Sequence, residues 1–393
     1  MAADGDVVST YCREAEVPLD ALHSAARLVG CGGDARVDLL WDLDRIDQLA
    51  PSLDGLYHRG RGGMGAVVYV MDTGVLASHV EFGGRVIAGF DEASGLRAGR
   101  SSCSSPNKAL QPCISNYNEL PGASHGTSVA SIIAGRNVGV APEADIVSIR
   151  VMNESALATT RTYLQGLRAI VRHAWAPTTP PFQTAVVNIS GWMLERLASE
   201  PDPSPVPFSS VEQMMRTMIG GVDAKGNPDP NGRRFVFVVA ANNIDNGCGP
   251  SGVVDRFPAT LGRKIDGLIT VGGMTAGNNW WPGSCHGGAE ILAPSEGIFS
   301  ASITANDHYR GLKPNLRSGT SFAAPIVSGI AARILSDNPL LTPQEVEKMI
   351  ESTPSRIANP DTSHAAGRVV FVQTQAPALA ARRVPPSQAR MAP

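Results

Sequence analysis

Val67-Val68-Tyr69-Val70-Met71-Asp72-Thr73-Gly74 is a short, almost continuously apolar run that stops at a carboxylate, a hydroxyl and a glycine. A run of β-branched and aromatic residues closed by a turn predicts a buried strand, with Asp72 at its carboxyl end. Further runs of the same character follow at Ile146 to Val151, Ala185 to Ile189, Phe235 to Ala240, Leu268 to Val271 and Ile291 to Leu292. Between them lie helical patterns at Thr127 to Ala134, Thr160 to His173, Val211 to Ile219, Ser321 to Leu335 and Thr342 to Ser352. The last opens with Thr342-Pro343-Gln344-Glu345, a capping box with proline at the first helical position. Strands alternating with helices argue for βαβ crossovers and a parallel sheet covered on both faces.

A chain of 393 residues can hold two average domains, and one large α/β domain with extended loops fits its length equally well. Hydrophobic residues make up 43% of the 393 and are spread along most of the length, enough to bury a core without staples. The 41 glycines and 29 prolines fall between the apolar runs and predict many loops, with Glu200 to Phe208 and Gly226 to Gly232 on the surface. Thirty-three basic and 36 acidic residues give a net charge of −3 with no dense basic cluster, which argues against nucleic acid as a partner. No apolar stretch approaches the roughly 20 residues that a membrane span needs. Met1 to Gly33 has no basic start followed by an apolar run, so no secretory signal is visible. Residues 1–35 read as an unassigned extension, 36–372 as the folded domain and 373–393 as a Pro/Ala/Arg-rich disordered tail.

Six cysteines allow fifteen complete pairings, and the spacing alone does not choose among them. Cys103 and Cys113 are close enough in sequence to staple one loop; whether Cys12 and Cys31 pair stays open. No CxxC pair and no zinc-type Cys/His spacing is present, which favours disulfides and an oxidising compartment over metal. The alternative is a set of buried free thiols.

Acyl transfer from a peptide needs a nucleophile, a base, a group that orients the base, and donors for the oxyanion. Gly319-Thr320-Ser321-Phe322-Ala323-Ala324-Pro325 sets a serine among small residues at the start of an apolar helix, whose amino end can offer the Ser321 N–H to a negative oxygen. Ser124-His125-Gly126-Thr127-Ser128-Val129-Ala130 sets a histidine at another helix start. Singly, Asp72, His125 and Ser321 each read as a turn or cap residue. In the order Asp, His, Ser they supply an orienting carboxylate, a general base and a nucleophile.

Val68 to Gly74, His125-Gly126-Thr127 with Val129-Ala130, and Ser318 to Pro325 resemble the three active-site signatures of subtilases, in the chain order of that family. Gly139-Val140-Ala141-Pro142 and Phe257-Pro258-Ala259 resemble further landmarks, and the similarity runs from about Trp41 to Val372. Trp41-Asp42-Leu43-Asp44-Arg45-Ile46 and Gly283-Ser284-Cys285 resemble segments of the proteinase K branch, a likeness that implies a Cys248–Cys285 disulfide. The resemblance implies a doubly wound, mainly parallel α/β fold with helices on both faces. It also implies a secreted, monomeric serine endopeptidase acting on polypeptides, with no cofactor, no nucleic acid and no membrane. Asn243 matches the family's oxyanion asparagine.

The chain departs from the family at the edges of the cleft. Asn242 stands where relatives have glycine, and Ser190-Gly191-Trp192 where they have Ser-Leu-Gly; both segments are expected to border the specificity pocket. Ser128 replaces a second histidine outside the triad. Thr275 falls near a calcium-binding aspartate of proteinase K relatives, so no metal is carried over. Some 35 residues before the domain are too few for the family's usual inhibitory prosegment, and an incomplete chain is expected. Asp72-Thr73-Gly74 also matches aspartic peptidases, but those need a second carboxylate, and no further Asp-Thr-Gly or Asp-Ser-Gly occurs. The rival from another class is a silent binding protein whose pocket is obstructed by Asn242 and Trp192.

Overall fold

The computed structural model describes residues 17–18, 40–47, 53, 62–91, 125–153, 156–196, 204–249, 252–285, 287–310 and 318–352. Cys12, Cys31, Cys103 and Cys113, the tail and most of the amino-terminal extension lie outside them. Seven strands form the main sheet: β1 Val67–Asp72, β2 Val86–Asp91, β3 Asp145–Arg150, β4 Thr184–Ile189, β5 Arg234–Ala240, β6 Leu268–Met274 and β7 Ile291–Pro294. Every neighbouring pair is parallel, in the order β2-β3-β1-β4-β5-β6-β7. β1 is therefore internal, with the strands that follow it laid out on both sides. In such sheets the crevice at the strands' carboxyl ends is the natural binding place.

The six helices that matter here are α1 Trp41–Ile46, α2 His125–Ala134, α3 Thr160–Ala174, α4 Phe208–Gly220, α5 Thr320–Asp337 and α6 Pro343–Glu351. Side-chain alternation along the strands sends successive residues to opposite faces. Val68 and Val70 of β1, Val236 and Val238 of β5 and Ile269 of β6 pack with Ile132 of α2, Ile326 of α5 and Val346 of α6. Tyr69 and Met71 of β1 and Phe235 and Phe237 of β5 face the other way, onto Leu167 of α3 and Met215 of α4. Both faces are thus dry, which explains why the strands read as nearly continuous apolar runs. Among the described residues, no helix is long and apolar enough to cross a membrane.

Several elements extend beyond the sequence reading. α4 starts at Phe208, three residues before its apolar period, because Phe208 packs against Phe257 with ring centroids 4.8 Å apart. β2 went unread: it is an edge strand with Ala88-Gly89 in its middle and a register shift beside Val86. Val17–Pro18, within the extension left unassigned, pairs antiparallel with His308–Arg310, which in turn pairs with Ser300–Ala301.

Candidate active site

Asp72 is the last residue of β1 and is fully buried. Its carboxylate faces the ring of His125, whose Nδ1 lies 2.9 Å from Oδ1 and 3.0 Å from Oδ2. The Thr73 N–H donates to Oδ1 at 2.7 Å, steadying the carboxylate by a charge-assisted bond. A carboxylate on Nδ1 fixes the tautomer with the proton on that nitrogen and leaves Nε2 as acceptor.

The two motifs hold each other. The Gly126 N–H donates to Thr73 Oγ1 at 3.0 Å, and the Leu76 N–H donates to Thr127 Oγ1 at 2.9 Å. The first of these also satisfies an amide at the α2 amino end that has no partner within the helix. A Cβ at Gly126 would come within 2.3 Å of the Gly74 carbonyl oxygen and 3.1 Å of Asp72, so the residue after the histidine must be glycine for this approach. Ser128, at the family's second-histidine position, is buried and donates to the Ala301 carbonyl at 2.8 Å, a packing role.

Ser321 is the second residue of α5, with Gly319 as N-cap. Its hydroxyl donates to the Ser190 carbonyl at 3.0 Å. Phe322, the next residue, packs against the His125 ring at 5.5 Å between centroids, bringing α5 and α2 together at the site. Ser190 is itself set by Asn188, whose Nδ2 donates to Ser190 Oγ at 2.9 Å while Oδ1 accepts from Ser328 of α5 at 2.9 Å. Asn243 follows β5. Its Oδ1 accepts from the Thr320 N–H at 2.9 Å and from the Thr320 hydroxyl at 3.1 Å. That assignment turns Nδ2 toward Gly319, where an added Cβ would lie 3.3 Å from it.

A cleft of about 260 Å³ is lined by His125, Ser321, Asn243 and the expected pocket residues Ser190, Gly191, Trp192 and Asn242. The seven non-cysteine positions at this cleft, together with Asp72 behind His125, come from five widely separated stretches of chain. Asn242 is buried at φ 84°, and its Nδ2 donates to the Gly247 carbonyl at 2.8 Å. Trp192 is half-buried beneath the guanidinium of Arg256, 5.1 Å from the ring centroid. Cys248 and Cys285 are joined, with Cα atoms 5.7 Å apart, next to the turn that carries Asn243.

Sequence reasoning missed Met152, Ala156, Asn246 and Phe322 as cleft residues and Arg256 behind Trp192. Met152 had a readable signal: it directly follows the apolar run Ile146 to Val151, and its N–H donates to the Asp72 carbonyl at 3.2 Å. A Cβ at Gly191 would sit 2.4 Å from Met152 Cε, so the missing side chain at 191 is replaced in space by the methionine. Among the described residues, one group of three potential metal ligands lies close together, Glu290, Glu347 and Glu351, and none of them lines the cleft.

Residues 63–369 match the model of the Subtilase family. The chain is 28% identical over 341 residues to the alkaline serine exoprotease A of Vibrio alginolyticus, covering 87% of this chain and 52% of that one. It is 30% identical over 322 residues to an extracellular serine proteinase of Thermus sp. (strain Rt41A), covering 81% and 63%. The chain thus spans between about half and two thirds of the length of these curated relatives. The crystal structure of a cold adapted subtilisin-like serine proteinase superposes with a TM-score of 0.61 at 27% identity, covering 85% of this chain and 98% of that one.

Proposed function

The chain belongs to the subtilase family, and from that premise we propose that it is a serine endopeptidase that cleaves polypeptides through an acyl-enzyme on Ser321. The observation that carries this reading is the Asp72 carboxylate on His125 Nδ1 beside the Ser321 hydroxyl, all at one cleft. Rotation of the Ser321 side chain from the Ser190 carbonyl toward His125 Nε2 aligns nucleophile and base. His125 takes the hydroxyl proton as Ser321 Oγ attacks the scissile carbonyl, and Asp72 stabilises the resulting imidazolium. The developing oxyanion is held by the Ser321 N–H at the α5 amino end and by Asn243 Nδ2. Collapse breaks the peptide C–N bond, with His125 returning the proton to the leaving amine. Water then repeats the sequence to release the acid.

Ser190, Gly191, Trp192 and Asn242 form the pocket for the side chain before the cleaved bond, in this reading. The Asn242 side chain, where relatives have glycine, and the Trp192 indole together leave most room for small residues such as Ala or Ser. The peptidase works as a monomer in an oxidising, extracellular setting, which the Cys248–Cys285 disulfide and the extracellular Thermus relative support. The likeness to the proteinase K branch rests on the Trp41–Ile46 and Gly283-Ser284-Cys285 segments, and the Cys248–Cys285 disulfide that it implies supports it. Trp41 is buried, with its Nε1–H donated to the Glu296 carbonyl at 3.2 Å. Ser321→Ala is expected to lower turnover of a casein substrate by at least about 10³, leaving only binding and oxyanion effects. Near-normal turnover in that variant would end the proposal.

A further inference from the structure

We propose that Arg256 is a specificity-determining residue: it ties the two walls of the cleft together and pins the Trp192 indole as the wall that meets the side chain before the cleaved bond. The inference rests on the peptidase reading above and deepens it.

Trp192 and Asn246 line the same cleft from different loops. Arg256 touches both. Its guanidinium lies over the Trp192 ring, 5.1 Å from the centroid, and its Nη2 donates to the Asn246 carbonyl at 3.1 Å. A planar guanidinium can present its face to an indole and its edge to a carbonyl at the same time, which a lysine ammonium on a flexible stem does not. The backbone brings the groups into reach: the Met193 N–H, next to Trp192, donates to the carbonyl of Phe257, next to Arg256, at 3.3 Å. Room for the guanidinium comes from Gly247, where a Cβ would stand 3.1 Å from Nη2. The neighbouring carboxylate, Asp255, reaches Arg256 Nε only at 3.7 Å and is exposed.

The Asn246 wall is braced without Arg256. Asn242 Nδ2 bonds the Gly247 carbonyl, the Cys285 N–H donates to the Asn242 carbonyl at 3.0 Å, and Cys248 is joined to Cys285. That wall is the fixed side against which Arg256 holds the indole. Releasing the guanidinium lets the indole swing and widens the pocket for a large apolar side chain. The chemistry of bond cleavage is untouched, because Arg256 contacts neither Asp72, His125, Ser321 nor Asn243.

The test uses peptides that differ only in the residue before the cleaved bond, with each protein's active-site concentration fixed by titration with a small fluorophosphonate. Arg256→Ala is expected to raise kcat/KM for Phe and Leu peptides about tenfold relative to the Ala peptide, the scale set by a few methylenes in a pocket. The Ala peptide itself should stay within about twofold. Arg256→Lys should fall between, keeping the charge over the ring but losing the fork. Because Arg256 acts through Trp192, Arg256→Ala added to Trp192→Ala should leave the preference of the single Trp192 variant unchanged. An unchanged profile in a titratable Arg256→Ala, an equal loss on all peptides, or an effect that persists without Trp192 overturns the inference alone. A wild type that takes up no phosphonate overturns the peptidase reading and this inference with it.

Discussion

Asn243 is anchored through one end of its amide, which leaves the other for the proposed oxyanion contact. Its Oδ1 takes both the N–H and the hydroxyl of Thr320, and this anchors the side chain to the same helix end that presents Ser321. Asn243→Leu keeps much of the volume but loses the Nδ2 donor. Turnover is expected to fall by roughly 10² to 10³ with little change in KM, the scale known for removing one oxyanion-hole donor in a subtilisin. A variant that changes only KM would mean that Asn243 contacts the ground state. Its neighbour Asn242 shows how a departure from the family pattern is absorbed. At φ 84° the position suits glycine, and asparagine is among the few other residues that tolerate such a backbone. The places of Asp72, His125 and Ser321 in the fold were legible because each motif couples its residue to a local reason: a strand end, a glycine forced by close approach, a helix start. Arg256 was not, since it bears on the cleft only through contacts with Trp192 and Asn246, which lie elsewhere in the chain.

At the scale of elements, α6 combines a start that the sequence announced with a docking contact that it did not. Thr342 and Glu345 form the capping box expected of Thr342-Pro343-Gln344-Glu345. Glu347, one turn in, is buried and accepts the Gly267 N–H, and Glu290 beside it accepts the N–H groups of Arg263 and Thr270. A glutamate on a helix reads as solvent-facing until its packing partner is known, so Glu347 had no sequence signal. Burial raises Glu347 to about 8, with Glu290, Glu351 and Asp266 adding repulsion. Burial likewise raises Glu290 to about 7, against the lowering effect of its two backbone donors. Both folded values exceed the ordinary 4.5, so the folded chain holds protons that the unfolded chain releases. The stabilisation is complete below about pH 4.5 and is lost as pH rises through about 7 and 8. Glu347→Gln cannot ionise, so urea midpoints measured from pH 5 to 9 should converge on or overtake wild type at the alkaline end. Parallel curves for the two proteins would contradict this assignment.

For the whole molecule, a parallel sheet with β1 inside it collects residues remote in sequence at one rim. Asp72 arrives on β1, His125 and Ser321 at the starts of α2 and α5, and Asn243 just beyond β5. α5 packs along β4 to β7 and against α2, so the helix that opens with Thr320 and Ser321 is also a main support of the core. The alternation of runs and helical patterns was enough to read this architecture, because both sheet faces are dry and the central strands are mostly apolar, with Ser148 and Asn188 as buried exceptions. The edge strand β2 and the two- and three-residue strands at Val17, Ser300 and His308 escaped, being too short or too mixed to show a period. The central claim, that this convergence makes Ser321 a nucleophile, is tested most directly by treating the folded protein with a fluorophosphonate and mapping the adduct by peptide mass spectrometry. The account predicts one stoichiometric adduct, on Ser321, lost when the protein is unfolded beforehand and greatly slowed in His125→Ala. No adduct on the folded wild type, or an adduct on a different serine, would contradict it.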